Sequence, residues 1–213
     1  MKLWIFDLDG TLVDSFSHYF KALEDIFTEY GKVFDNSLGH AALTDPLPQF
    51  FEKHLGKELA LEGLEKLQQM SNDHAKDVRP FEGMIETIEG LIKQGKDVAI
   101  WTNRDLHSAT LIIQASKLDK LFSCVVSGTC VTLRKPHPEG ILRIAKQFNC
   151  ELKDVTVIGD HEHDVQGAKT AGARAVRASW HSYWQVAPCE TADHQFFGVS
   201  NFSQWVLGQI ATN

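Results

Sequence analysis

The sequence predicts an α/β fold: a parallel sheet flanked by helices, with a wholly helical segment inserted near its start. Three observations predict it. Short runs rich in apolar residues, Leu3–Phe6, Asp97–Trp101 and Asp154–Ile158, each stop at a polar group, as strands buried on both faces of a parallel sheet do. Beyond residue 80, stretches with helical spacing separate such runs, the alternation expected of strand–helix–strand crossovers. Residues 14–79 carry helical patterns only, so segments 1–13 and 80–213 are expected to form one core around an insert.

Leu3-Trp4-Ile5-Phe6 is the most uniformly apolar run and leads directly into Asp7, so it is expected at the centre of the sheet. Phe16, Phe20, Leu23, Phe27 and Tyr30 then recur at helical spacing; Asp14 or Ser15 is placed to cap that helix, and Gly31 ends it. Asn36, Gly39, Asp45, Pro46 and Pro48 break the next stretch, which reads as loop with a short helix at most. Gln49–Leu55 and Glu58–Asp77 are helical again, and Arg79–Gly83 is the return linker. Helices are expected over Met84–Lys93, Leu106–Ser116, Pro138–Phe148, Val165–Ala171 and Phe202–Ile210, with Pro138 suited to a first turn. Ser123–Val126 and Arg174–Ala178 are the remaining strands.

Composition narrows the partners. At 213 residues the chain is one large domain or two modest ones, and 43% hydrophobic with 23% charged residues is ordinary for a globular protein. Twenty-eight acidic against 21 basic side chains, with no Lys/Arg cluster, argue against nucleic acid as a partner. The opening apolar run is too short for a signal peptide and no run reaches membrane-spanning length. Cys124, Cys130, Cys150 and Cys189 show no C-x-x-C spacing, so they read as reduced thiols of a cytoplasmic protein.

A parallel sheet gathers the carboxyl ends of its strands along one edge. That edge would receive Asp7 and Asp9 from the first run, Thr102 and Asn103 from the second, and Asp160 with Asp164 from Gly159-Asp160 onward. Taken singly, each has a plainer reading: Asp9-Gly10 as a turn, Asp160 and Asp164 as helix caps. Together, four carboxylates in one crevice require a divalent cation, and all-oxygen ligation favours Mg²⁺. Lys135, in the stiff loop Leu133–Pro138, is either a solvated lysine or a cation linking a carboxylate to a bound anion, with Arg134 the competing choice.

These residues resemble, in order and spacing, the four motifs of the haloacid dehalogenase-like superfamily of phosphotransferases. Asp7-Leu8-Asp9-Gly10-Thr11-Leu12 resembles the first, Trp101-Thr102-Asn103-Arg104 the second, Lys135-Pro136-His137-Pro138 the third and Gly159-Asp160-His161-Glu162-His163-Asp164 the fourth. The likeness is nearest to the phosphoglycolate phosphatase-like branch and includes the Ala192-Asp193-His194 segment. It implies a Rossmann-like core (1–13 and 80–213), a helical cap (14–79) closing over the crevice, and a small phosphorylated metabolite as substrate. It implies that Asp7 attacks phosphorus and that Asp9 serves as acid and then base. Thr102, Asn103, Lys135 and the backbone N–H groups near Leu8 and Asp9 would hold the phosphoryl oxygens. Mg²⁺ would be held by Asp7, the Asp9 carbonyl and Asp160, with Asp164 orienting that shell.

Dehalogenases of the same fold lack an acid at the Asp9 position, so the resemblance favours phosphoryl chemistry. Two other readings share the motifs: a β-phosphoglucomutase-like transferase, and a catalytically silent binding protein. A monomer or homodimer is expected. The loop Gly39–Pro46 is expected to be the part of the cap that reaches inward. His161 reads as a surface histidine, and Trp101 and Trp180-His181 as bulk filling core or rim.

Overall fold

The computed structural model describes residues 1–181 and 188–208, without the side chains of residues 36, 37, 40 and 44. In chain order the elements are β1 (Leu3–Phe6), β2 (Val13–Asp14), α1 (Phe16–Glu29), α2 (Asn36–Thr44), α3 (Leu47–Leu55), α4 (Lys57–Asp73), β3 (Arg79–Pro80), α5 (Met84–Lys93), β4 (Asp97–Trp101), α6 (Leu106–Ala115), β5 (Val125–Val126), α7 (Glu139–Gln147), β6 (Val155–Gly159), α8 (Glu162–Ala171), β7 (Arg174–Ala178), β8 (His194–Phe196) and α9 (Val199–Gly208). The chain divides into two compact units, Met1–Asp14 with Arg79–Asn213, and Ser15–Val78.

The first unit is a six-stranded sheet in the order β5-β4-β1-β6-β7-β8. Every pairing within it is parallel. β1 is interior, as expected, and all four of its side chains are buried. Leu3 and Ile5 face the same way as Ala99, Trp101, Val155 and Val157, packing against Ile141 and Ile144 of α7 and Val165 and Ala168 of α8. On the opposite face Trp4 meets Trp205, and Phe6 meets Phe122 and Phe202. Each such aliphatic or aromatic burial contributes about 1.5–3 kcal/mol. No described helix is long and apolar enough to cross a membrane.

Several boundaries differ from expectation for physical reasons. β8 carries His-Gln-Phe, half-buried at the sheet edge, with no apolar run to announce it. Helix α8 starts at Glu162 rather than Val165 because His161 and Asp164 cap it reciprocally. The expected end of α9 at Ile210 lies outside the described residues.

The second unit is helical. Phe27 of α1 packs near Phe34, Phe50 and Phe51. The stretch expected as loop holds a nine-residue helix, α2. Asp35 starts it, its carboxylate accepting from the Leu38 N–H at 3.2 Å. Pro46 and Pro48, read as breakers, stand at the start of α3, where proline's missing N–H does no harm. Residues 39–44 are therefore helical rather than an open loop, and the side chain of His40 lies outside the described residues.

Candidate active site

The carboxyl edge of the sheet carries the site. β1 stops at Phe6, and the Asp7 N–H still donates to the Ile158 carbonyl, which extends the ladder by one residue. Beyond Asp7 the chain curls: Leu12 and Val13 N–H both donate to the Leu8 carbonyl, with Gly10 at φ +72°. Asp7 and Asp9 therefore do not share one strand face, and their carboxylates have separate partners.

Asp7 points into a buried nest. Lys135 Nζ donates to Asp7 Oδ1 at 2.5 Å and to Asp164 Oδ1 at 2.6 Å. Asp160 lies beside them, accepting from the Thr11 hydroxyl at 3.4 Å. Oxygens of Asp7, Asp160 and Asp164 all lie within 4.8 Å of one another, and all three residues are buried. One ammonium thus bonds two of three clustered, buried carboxylates. Burial drives the Asp7 pKa up to about 7; Lys135 opposes this, and the charges of Asp164 and Asp9 add to it. Burial pulls the Lys135 pKa down, but Asp164 and Asp7 outweigh it, so the net direction is up and Lys135 keeps its proton.

That imbalance is the test of fit for a metal. A close-set group of oxygen ligands that is deficient in positive charge suits a hard dication, and Asp7, Asp160 and Asp164 supply the oxygens. The carboxylate of Asp9 is not part of this cluster. Arg104 grips it, Nε donating to Oδ2 at 3.0 Å and Nη2 to Oδ1 at 2.6 Å.

β4 delivers the second group. The Thr102 hydroxyl accepts from the Arg104 N–H at 3.1 Å, which leaves the hydroxyl proton as its donor function. Asn103 Oδ1 accepts from the Lys135 N–H at 3.1 Å, so the oxygen end of this carboxamide ties the end of β4 to the lysine loop. Only its NH₂ end can serve an anion. Arg134, the competing cation, is exposed and donates through Nε to the Gly128 carbonyl at 3.1 Å. Lys135 is the cation of the nest.

Asp164 does two jobs. Its Oδ1 holds Lys135, while Oδ2 accepts from the His161 N–H at 3.0 Å. His161 Nδ1 accepts in turn from the His163 N–H at 3.1 Å. His161 is half-buried rather than a surface side chain, and burial, reinforced by His163, pushes its pKa down to about 4. His137 is exposed and accepts from the Glu139 N–H. In the helical unit, Lys21 pairs with Glu24 and Asp25, and His18 stacks on His74.

Sequence reasoning missed Arg104. It stands next to Asn103 at the end of a strand, and counting every cation at that edge would have flagged it. Trp101 was read as bulk, yet its ring centroid lies 4.5 Å from Lys135 Nζ.

Comparison with known proteins shows the family and the fold. The model of the family described as haloacid dehalogenase-like hydrolase matches residues 4–178. Pyrophosphatase PpaX of Bacillus thuringiensis (strain Al Hakam) is 28% identical over 178 residues, covering 83% of this chain and 82% of the relative. A predicted phosphoglycolate phosphatase from Haemophilus somnus superposes with a TM-score of 0.84 at 21% identity, covering 100% and 98% of the two chains. CbbY from Rhodobacter sphaeroides, solved in complex with phosphate, superposes at 0.80 with 16% identity, over 95% and 96%. At these identities the two structures attest the fold.

Proposed function

The chain belongs to the haloacid dehalogenase-like hydrolases, and from that premise we propose that it is a phosphatase that hydrolyses a small phosphomonoester through an aspartyl-phosphate on Asp7. The observation that carries the proposal is the nest of Asp7, Asp160, Asp164 and Lys135, built from three separate stretches of chain.

Asp7 Oδ attacks phosphorus in line, and the P–O bond to the leaving alcohol breaks. The leaving oxygen takes a proton from Asp9, and Asp9 then takes one from the water that attacks the aspartyl-phosphate, so inorganic phosphate departs and Asp7 is restored. Both Asp9 oxygens are engaged by Arg104, so one of these bonds opens before Asp9 exchanges a proton. The Thr102 hydroxyl, the Asn103 NH₂, the N–H groups near Leu8 and Asp9, and Lys135 hold the phosphoryl oxygens. Asp7, the Asp9 carbonyl and Asp160 would hold Mg²⁺, with Asp164 orienting that shell; bound there, the ion supplies charge neutralisation for the nucleophile and the phosphoryl group. We assign the catalytic core to 1–13 and 80–213 and the cap to 14–79. A cytoplasmic location belongs to the same proposal, supported by four free cysteines.

Turnover of p-nitrophenyl phosphate with Mg²⁺ tests this. Chelation and Asp7→Asn should each lower it by about 10³-fold or more. Full turnover by Asp7→Asn would remove the nucleophile assignment. Release of inorganic phosphate from sugar phosphates, rather than their isomerisation, separates hydrolysis from mutase chemistry.

A further inference from the structure

We propose that Trp101 is a positioning residue for Lys135: the face of its indole, set in a notch made by Gly140 and Gly167, holds the ammonium between Asp7 and Asp164. The inference rests on the proposed role of Lys135 in binding the phosphoryl group.

Lys135 Nζ has two charged acceptors, Asp7 Oδ1 and Asp164 Oδ1, and lies 4.5 Å from the centroid of the Trp101 ring. Trp101 and Lys135 are both buried, at 2% and 8% exposure, so no bulk water competes for the ammonium. A cation over an indole face is worth most where it is desolvated. An aliphatic side chain in the same place would leave that side of the charge facing hydrocarbon.

The surroundings are shaped for the indole. Trp101 is the last residue of β4 and lies on the sheet face covered by α7 and α8. A Cβ at Gly140 of α7 would collide with the indole Nε1 and Cδ1. A Cβ at Gly167 of α8 would fall 2.5 Å from Cη2 and 3.1 Å from the carbonyl of Pro136, the residue after the lysine. Two helices thus each place a glycine against this ring, and Gly167 does so in mid-helix, where glycine is destabilising. Core filling alone would be met by a smaller side chain and two alanines. The indole instead extends the core up to the ammonium.

The test uses the full chain with its lysines labelled at ¹³Cε. Lys135, identified by its loss in Lys135→Met, should give ε-methylene protons upfield of the other lysines from the indole ring current. Trp101→Phe should reduce that displacement and Trp101→Leu remove it. Affinity for orthovanadate with Mg²⁺ should fall about tenfold in Trp101→Leu and about threefold in Trp101→Phe. In the Lys135→Met background the same changes should produce no further loss. Gly140→Ala, whose Cβ would meet the Trp101 indole and so displaces the ring without altering it, should lower vanadate affinity too, so the test does not depend on a variant that leaves a cavity. An undisplaced Lys135 signal, or equal losses with and without Lys135, would overturn the inference. These outcomes are separate from Asp7→Asn turnover, on which the functional reading itself stands or falls.

Discussion

Asp7 and Asp9 are separated by a single residue, yet they meet their cations in opposite settings. The Asp7 and Lys135 side chains are 10% and 4% exposed; those of Asp9 and Arg104 are 22% and 18% exposed. In the nest, burial acts on Asp7 more strongly than the lysine does, because that lysine is shared with Asp164. At the rim, one guanidinium serves one carboxylate through two hydrogen bonds, and Asp9 keeps the Arg104 pKa above its ordinary value although burial opposes it. The nest is short of positive charge and the rim is balanced. The first setting suits a hard dication and the second does not. On the proposed mechanism the same contrast would separate the nucleophile, which must be stripped of water and ionised to attack, from the acid and base, which must exchange protons.

Removing each cation should sharpen that contrast. Lys135→Met deletes the only ammonium of a buried cluster, and the expected losses are about 10²–10³-fold in kcat and about 3–5 kcal/mol in stability by urea unfolding without Mg²⁺. Arg104→Gln deletes a rim partner whose carboxylate can turn to water. Its stability loss should be the smaller of the two, about 1–3 kcal/mol, because the pair is partly exposed. Its kcat should fall only about tenfold, because Asp9 loses its orientation but not its chemistry. A larger stability loss for Arg104→Gln than for Lys135→Met would break the distinction between nest and rim.

The nest was largely legible in the sequence, and the rim was not. Parallel topology fixes where strand ends go, so Asp7 and Asp160 were bound to meet once β1 and β6 were recognised as neighbours. Asp164 and Lys135 follow closely, one in the first turn of α8 and the other in a short proline-bounded loop. Arg104 has a long side chain whose direction depends on how the chain curls after Asp7, and that curl is set by hydrogen bonds to the Leu8 carbonyl. Asn103 was expected to hold phosphoryl oxygens; its Oδ1 holds the backbone of Lys135, an engagement with no sign in the sequence, and its NH₂ is left for an anion. In the helical unit, Gly39 and the nearby prolines hid α2, because composition signals breakers but not the capping Asp35 that starts a helix before them.

His161 probes the nest from its wall. Its pKa is pushed down to about 4, first by burial and then by His163, with Asp164 opposing. The fold therefore holds the neutral imidazole. Above its ordinary value of 6.5 the histidine is neutral both folded and unfolded, and stability is intact. As pH falls from 6.5 toward 4, the unfolded chain takes up the proton first, so stability erodes through that window. His161→Asn keeps an acceptor for the His163 N–H and removes the titration. Relative to the parent, this variant should gain about 1–2 kcal/mol between pH 7 and about pH 4.5, read as the difference between paired urea melts, in which the other titrating groups cancel. A constant difference would mean that His161 ionises as it does in water. The wall beside Asp164 would then be wet, and the buried cluster would begin at Asp164 rather than at His161.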